Sequence, residues 1–381
     1  MVMQAVVLMS CVSVAQAEAG SIPVGGMKLE PTVTLSEAHN DNIFSKELAK
    51  DIKQSWVTTI SPSLVLKADD GAKQYELGYN LSDSIYHQSH GDDVINHFIH
   101  FNADLELSRK LTAALYVNYN LSHDPRGSIV GAAGNVVIPD AYREGIVGGS
   151  VDYGSNAHII ISGEYNSKKY TNNYNTTNKR SFDTAKVGAE FDYDLTAKTS
   201  ILLEARYKHL NYLTALLDSN EQAYFTGLNW DATAKTSGSA RVGYTQKKFT
   251  TAGTPDVKLF SWEMSMEWLP LSYSSWTLST SSKPVESQGT GSVIKNSSVD
   301  LSWNHAWSEL VSHSASLGYS KDIYQNNPRL DHTTTASFSV NYQWLRWLAV
   351  KPSYNFRNLS SNIPNSSYKS NVWMVSLIGT L

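Results

Sequence analysis

Cysteine is all but absent from this chain. Its 381 residues hold one, Cys11, so neither a disulfide framework nor a thiolate metal or redox centre can be built. Long hydrophobic runs are missing too: after residue 17 no stretch approaches the roughly 18–20 apolar residues of a membrane helix. If the protein crosses a membrane, it does so with strands. Charge is sparse, at 17% of residues with a net of −4, which offers no basic face to nucleic acid and no pull toward an anionic surface. Length alone suggests two or three soluble domains, but no shift of composition marks a linker between them.

What the chain has instead is tyrosine (21), tryptophan (10) and a recurring hairpin. The copy at Phe182–Asn211 shows it best. Ala185, Val187, Ala189, Phe191 and Tyr193 alternate with Lys186, Gly188, Glu190, Asp192 and Asp194. After a turn at Leu195–Lys198, Leu203, Ala205 and Tyr207 alternate with Glu204, Arg206 and Lys208. A period of two puts the greasy and charged sets on opposite faces of a strand. A soluble sandwich also alternates, but with shorter strands. Repetition along nearly the whole chain, with aromatics at strand ends, is the pattern of an outer-membrane barrel.

Eight short polar turns centre near Asp70, Ser108, Ser155, Ala197, Thr233, Ser272, Ser308 and Arg346. Between them lie longer loops rich in Asn, Ser, Asp and Gly, such as His39–Gln54, Asp124–Arg143, Tyr170–Ser181 and Tyr324–His332. The spacing predicts an all-β fold, an antiparallel up-and-down barrel of about eighteen strands, with sixteen as the alternative count; Met27–Ala38 is the first strand and residues 27–381 form the barrel. Residues 1–17 read as a signal peptide, with an apolar core at Val6–Val14 and a small-x-small site at Ala15–Ala17; its usual positive n-region is missing, so the start reads as truncated or misassigned. Cys11 falls inside it. Residues 18–26 are left as a short periplasmic segment.

The faces follow from energy. Phe260, Trp262, Met264, Met266 and Trp268 oppose Ser261, Glu263, Ser265 and Glu267, and each Lys or Arg turned to lipid at mid-membrane costs about 2–4 kcal/mol. The apolar set therefore meets lipid. Candidate lumen-lining residues are Glu76, Asp104, Glu106, Lys186, Glu190, Asp192, Glu204, Arg206, Lys208, Arg241, Glu263, Glu267, Lys351 and Arg357, together with Asp152, Glu164 and Lys247. They suit either a charge lattice that stiffens the wall or a hydrated path for sugar hydroxyls. Pro352 interrupts a strand and calls for a bulge or a missing ladder bond. Asp124–Arg143, with its apolar centre Gly127–Ile138, is the expected constriction, an exposed adhesive loop being the competing account.

Enzyme chemistry finds little support. His87, His90, His97 and His100 have metal-like spacing but straddle a loop with few acids, and no Ser-His-acid set stands out among the many serines. No catalytic residue, cofactor or metal is expected; a barrel enzyme or adhesin is the minor alternative.

The stretch Leu29–Phe44, LEPTVTLSEAHNDNIF, resembles the opening of the outer-membrane β-barrel porins of exopolysaccharide and capsule loci (VpsM-like). There a strand of the form P-x-x-x-L-x-E is followed by a Y/H-N-D-N-I/L-F corner. Ser55–Ser63 is similar to that family's second strand, x-x-x-T-x-I-S-P-G, with Ser63 in place of glycine. The last strand, Trp373 to Leu381, is similar to the signal read by the barrel-assembly machinery, with leucine where phenylalanine is usual. The resemblance implies a conduit in the outer membrane, with membrane lipids, a polysaccharide substrate and a periplasmic polysaccharide-export protein as partners. The expected function is export of exopolysaccharide or capsule, with a general diffusion or small-solute porin as the alternative.

Overall fold

The computed structural model describes residues 20–126, 138–214, 217–233, 235–287 and 290–380. Nearly all lie in one antiparallel sheet. A short strand β1 (Ile22–Val24) precedes β2 (Met27–Asn40), β3 (Ser55–Asp69), β4 (Lys73–Tyr86), β5 (Val94–Ser108), β6 (Leu111–Asp124), β7 (Asp140–Gly154), β8 (Ala157–Tyr170) and β9 (Phe182–Thr196). Then come β10 (Thr199–Tyr212), β11 (Ser219–Thr233), β12 (Thr236–Phe249), β13 (Val257–Leu271), β14 (Ser274–Glu286) and β15 (Val293–Ala306). β16 (Val311–Tyr324), β17 (Leu330–Leu345), β18 (Leu348–Ser361) and β19 (Tyr368–Thr380) complete the set. Each strand from β2 to β19 pairs with its successor, and β19 pairs back onto β2 from Val372↔Asn40 to Thr380↔Thr32. The result is a closed barrel of eighteen strands. Closure is what hydrocarbon demands, because an open edge would leave N–H and C=O groups unpaired.

All eight short turns fall where the sequence pattern puts them. The extra strand β1 was not expected: within the 18–26 segment, Gly25 and Gly26 take φ of +54° and +86°, the geometry of a two-residue hairpin turn, and fold Ile22–Val24 back on Met27–Leu29. The first barrel strand runs to Asn40, two residues beyond Ala38. At Pro352 the ladder to β17 skips the pairs between Ser339↔Ser353 and Tyr342↔Val350 with unchanged register, so a missing bond, not a bulge, accommodates it. The signal segment, most of the Gly127–Ile138 stretch and Leu381 lie outside the described residues.

The outer surface is apolar between two aromatic belts. Tyr153, Trp268, Trp307, Trp344 and Trp347 project near the short turns; Trp56, Tyr207, Tyr244, Phe260 and Trp373 project nearer the long loops. Trp276 and Trp303 stack at 5.0 Å across β14 and β15.

The Asn40-Asp41-Asn42 corner fastens the seam where the barrel closes. Asn40 Oδ1 accepts from the Asn42 N–H at 2.9 Å and from Ser370 at 3.2 Å. Asp41 accepts from the backbone and side chain of Asn371 at 2.8 and 2.6 Å. The buried Asn42 amide donates to the Lys46 and Lys369 carbonyls, both at 2.8 Å, and accepts from the Lys46 N–H at 3.0 Å. First strand and last are thus stitched through side chains at the end of the ladder that closes the barrel.

Two outcomes are expected. Val117, outward at the middle of β6, placed as Val117→Arg loses about 2–4 kcal/mol of unfolding free energy in lipid vesicles, whereas Asn118→Arg, its inward neighbour, loses less than about 1 kcal/mol. Asn42→Ala lowers the unfolding free energy of the refolded barrel, measured in urea, by about 1–3 kcal/mol; an unchanged value would show that the seam does not depend on this corner.

Candidate functional site

The pairing register sorts each strand into an inward and an outward set, and the inward sets differ around the circumference. From β15 through β19 to β2 and β3 the inner wall is mostly hydroxyl: Ser298, Ser302, Ser316, Ser320, Thr333, Thr335, Ser337, Ser353, Ser376, Thr34, Ser36, Thr59 and Ser61 share the inward register. Many zip across strands, as in Ser36–Ser376 at 2.8 Å and Ser316–Ser337 at 2.7 Å. Its inward charges include Asp300, Asp322, Asp331, Lys351 and Arg357.

The wall of β7–β13 is different. Glu190 and Glu204 stand directly opposite one another on β9 and β10, a like-charge pair that is costly alone. Arg241 of β12 resolves the conflict: its Nη1 donates to Glu204 at 2.6 Å and to Glu190 at 3.3 Å. Arg206 forks onto Glu204 at 2.5 and 2.8 Å and onto Glu263 of β13 at 3.0 and 3.1 Å. Such two-pronged pairing is what the planar guanidinium does best. Next to this lattice Lys186 bonds Glu164, which also accepts from the Tyr116 hydroxyl at 2.7 Å. Tyr116 can lie flat there because its partner across the strands is Gly148, where any Cβ would strike the ring at 2.4 Å.

The strands above the lattice do not all stay in the wall. β13 pairs with β14 only as far as Trp262↔Ser282, while β14 and β15 stay paired to Glu286↔Val293. Beyond Ser282, Pro284 cannot donate to the β13 ladder, and the end of this hairpin turns inward. Val293 becomes fully buried against Val257, Leu259 and Phe249 of the β12–β13 inner face. Glu286 reaches across to Lys208 of β10 at 2.6 Å and to Lys247 of β12 at 2.7 and 2.8 Å, and accepts from Tyr212 at 3.3 Å. This arm narrows the lumen. Together with the β7–β12 wall it encloses a cavity of about 440 Å³ lined by Tyr142, Phe182, Lys186, Arg206, Lys208, Phe225, Lys283 and Glu286, among others.

Of the residues marked out in the sequence, Glu190, Glu204, Arg206, Arg241 and Glu263 meet in the lattice, and Lys186 and Lys208 border it in the pairs just described. Asp192 lies below, accepting from Asn229 at 3.4 Å. Glu76 bonds His100 at 3.0 Å, while Asp104, Glu106 and Glu267 share the inward register toward the short turns. Lys351 and Arg357 sit apart, on the hydroxyl wall. The four histidines do not converge: His100 points inward, whereas His97 pairs with Tyr79 on the outer face and His90 with Asp93 in a loop. Among the described residues no group of acids, His or Cys is set to hold a metal.

Glu286 and Lys283 were missed. Strict alternation puts Glu286 on the lipid side, and a carboxylate there beside Pro284 was the available sign that the strand leaves the wall.

A family model described as "Putative beta-barrel porin 2" matches residues 17–380. The chain belongs to that family. It is an outer-membrane β-barrel porin of bacteria. No curated protein matches it. Among solved structures it is similar in fold to OpdO of Pseudomonas aeruginosa, at 13% identity and a TM-score of 0.52 over 94% of this chain and 98% of that one. It is likewise similar to OccK2 (OpdF) of the same organism, at 10%, 0.52, 93% and 98%, and to a BenF-like porin from Pseudomonas fluorescens Pf-5, at 10%, 0.50, 93% and 99%.

The side chains of Glu204 and Arg241 are 8% and 9% exposed. Glu204→Gln leaves the buried Arg241 and the partly exposed Arg206 under-compensated and is expected to cost about 3–5 kcal/mol in urea unfolding of the vesicle-inserted barrel. Asp104→Asn, outside any ion pair among the described residues, stays within about 0.5 kcal/mol of the parent; equal losses in the two variants would refute the lattice as a stabilising unit.

Proposed function

We propose that this porin is a water-filled channel for small polar solutes, with the β14–β15 arm as its constriction. The observation that carries the reading is Glu286, held by Lys208 and Lys247 across the inner wall. An eighteen-strand barrel is wide enough for an aqueous lumen unless something folds in, and this arm does so. Lined by hydroxyls on one side and by a self-neutralised lattice on the other, the path offers exchangeable hydrogen bonds to polyhydroxylated solutes.

A second reading, export of exopolysaccharide or capsule, is favoured by the Leu29–Phe44 and Ser55–Ser63 motifs and by the same hydroxyl wall, which suits a neutral sugar chain. In it the short turns would meet a periplasmic polysaccharide-export protein, and the arm would have to yield to the polymer.

Purified barrel in planar bilayers is expected to give stable single-channel steps, and Glu286→Gln to enlarge them by loosening the arm. Silent bilayers would sink the channel reading, and unchanged steps in the variant would remove the arm as constriction. Deleting the chain from its host decides between the two roles: polymer trapped in the periplasm supports export, whereas normal polymer with slowed sugar uptake supports the solute channel.

A further inference from the structure

One cation in the 440 Å³ cavity lacks a partner among the described residues. Lys283, carried by the arm, enters no hydrogen bond and no salt bridge among the described residues. Its situation is electrostatically lopsided. The acid whose field reaches it is Glu263, already forked by Arg206 at 3.0 and 3.1 Å, and the other charges that reach it, Arg206 and Lys186, are positive. The neighbouring carboxylates are occupied to different degrees, Glu221 by Lys208 alone at 3.9 Å, and none of them pairs with Lys283 among the described residues. Glu164 is taken by Lys186 and Tyr116, Glu286 by Lys208 and Lys247, and Glu144 by the Asn166 amide at 3.2 Å. A half-buried ammonium without an anion is expensive unless a partner arrives.

We infer that this cavity is a binding subsite for a carboxylate-bearing sugar of hexuronate size, with Lys283 as the ion-pair partner of the carboxylate. The volume lies in the range of sites that enclose small molecules. Phe182 supplies aromatic surface for the apolar face of a sugar ring, and Ser162 and Thr184 supply hydroxyls for its rim. An anion seated at Lys283 also stands near Arg206, so it relieves repulsion among the cations as it binds. The inference rests on the channel reading and names the solute class that the constriction holds. Free hexuronate and the uronate unit of an acidic oligosaccharide present the same carboxylate.

The test uses the full barrel in planar bilayers, with glucuronate, glucose or a hexuronate trisaccharide added to one chamber. Glucuronate is expected to lower the open-channel current in a saturable way, and glucose not to. Lys283→Gln should raise the half-blocking concentration roughly tenfold, the worth of one charge-assisted contact, and Lys283→Arg should restore it. Block by the monomer alone assigns the site to free solutes, and block by the trisaccharide as well assigns it to acidic chains; both support the subsite. Equal block of parent and Lys283→Gln, or equal block by glucose, overturns it while leaving a working channel. A parent barrel that conducts nothing fails the channel reading instead.

Discussion

The whole molecule depends on one constraint: inside a bilayer no backbone N–H or C=O has water to fall back on. Strands in lipid must therefore be paired on both edges, and a chain that begins and ends somewhere must bring those two places together. Here the task falls to β2 and β19, whose ladder is reinforced by Asn40, Asp41 and Asn42 reaching to Lys369, Ser370 and Asn371. The corner that marks the N-terminal motif in the sequence is, in the fold, the clasp of the cylinder. Its residue types follow from that duty, since short amide and carboxylate side chains can bond two backbones at once.

Once the cylinder is closed, its interior is free to vary, because water solvates whatever faces it. The two walls use that freedom differently. Along β15–β3, serine and threonine pair with one another across strands. Along β9–β13, guanidiniums and carboxylates cancel in a lattice that holds even the facing acids Glu190 and Glu204. Such a lattice binds neighbouring strands with directional bonds, and its charges are largely committed to each other. That is why a single uncommitted ammonium on the arm stands out.

How much of this was legible in the sequence follows from how local each feature is. Period-two alternation is a property of ten consecutive residues, so strand number, the eight short turns and the inward parity of residues such as Glu204 and Arg241 could be read directly. The hairpin at Gly25-Gly26 was passed over because three residues are too few to show a period. The arm was invisible for a different reason: Glu286 finds Lys208 and Lys247, 78 and 39 residues away, and only the inward turn of the hairpin makes them neighbours. Serine misled by abundance. Taken one at a time the serines say nothing, and their meaning lies in sharing one side of the barrel.

The two walls also differ in stiffness. Forked arginines hold their charges at set positions, while hydroxyl groups rotate and can follow a passing molecule, donating or accepting as it turns. A solute moving between them therefore meets a fixed electrostatic template on one flank and a compliant one on the other. In the channel proposed above such a solute would travel with a preferred roll about its own axis, one edge turned toward the arginines.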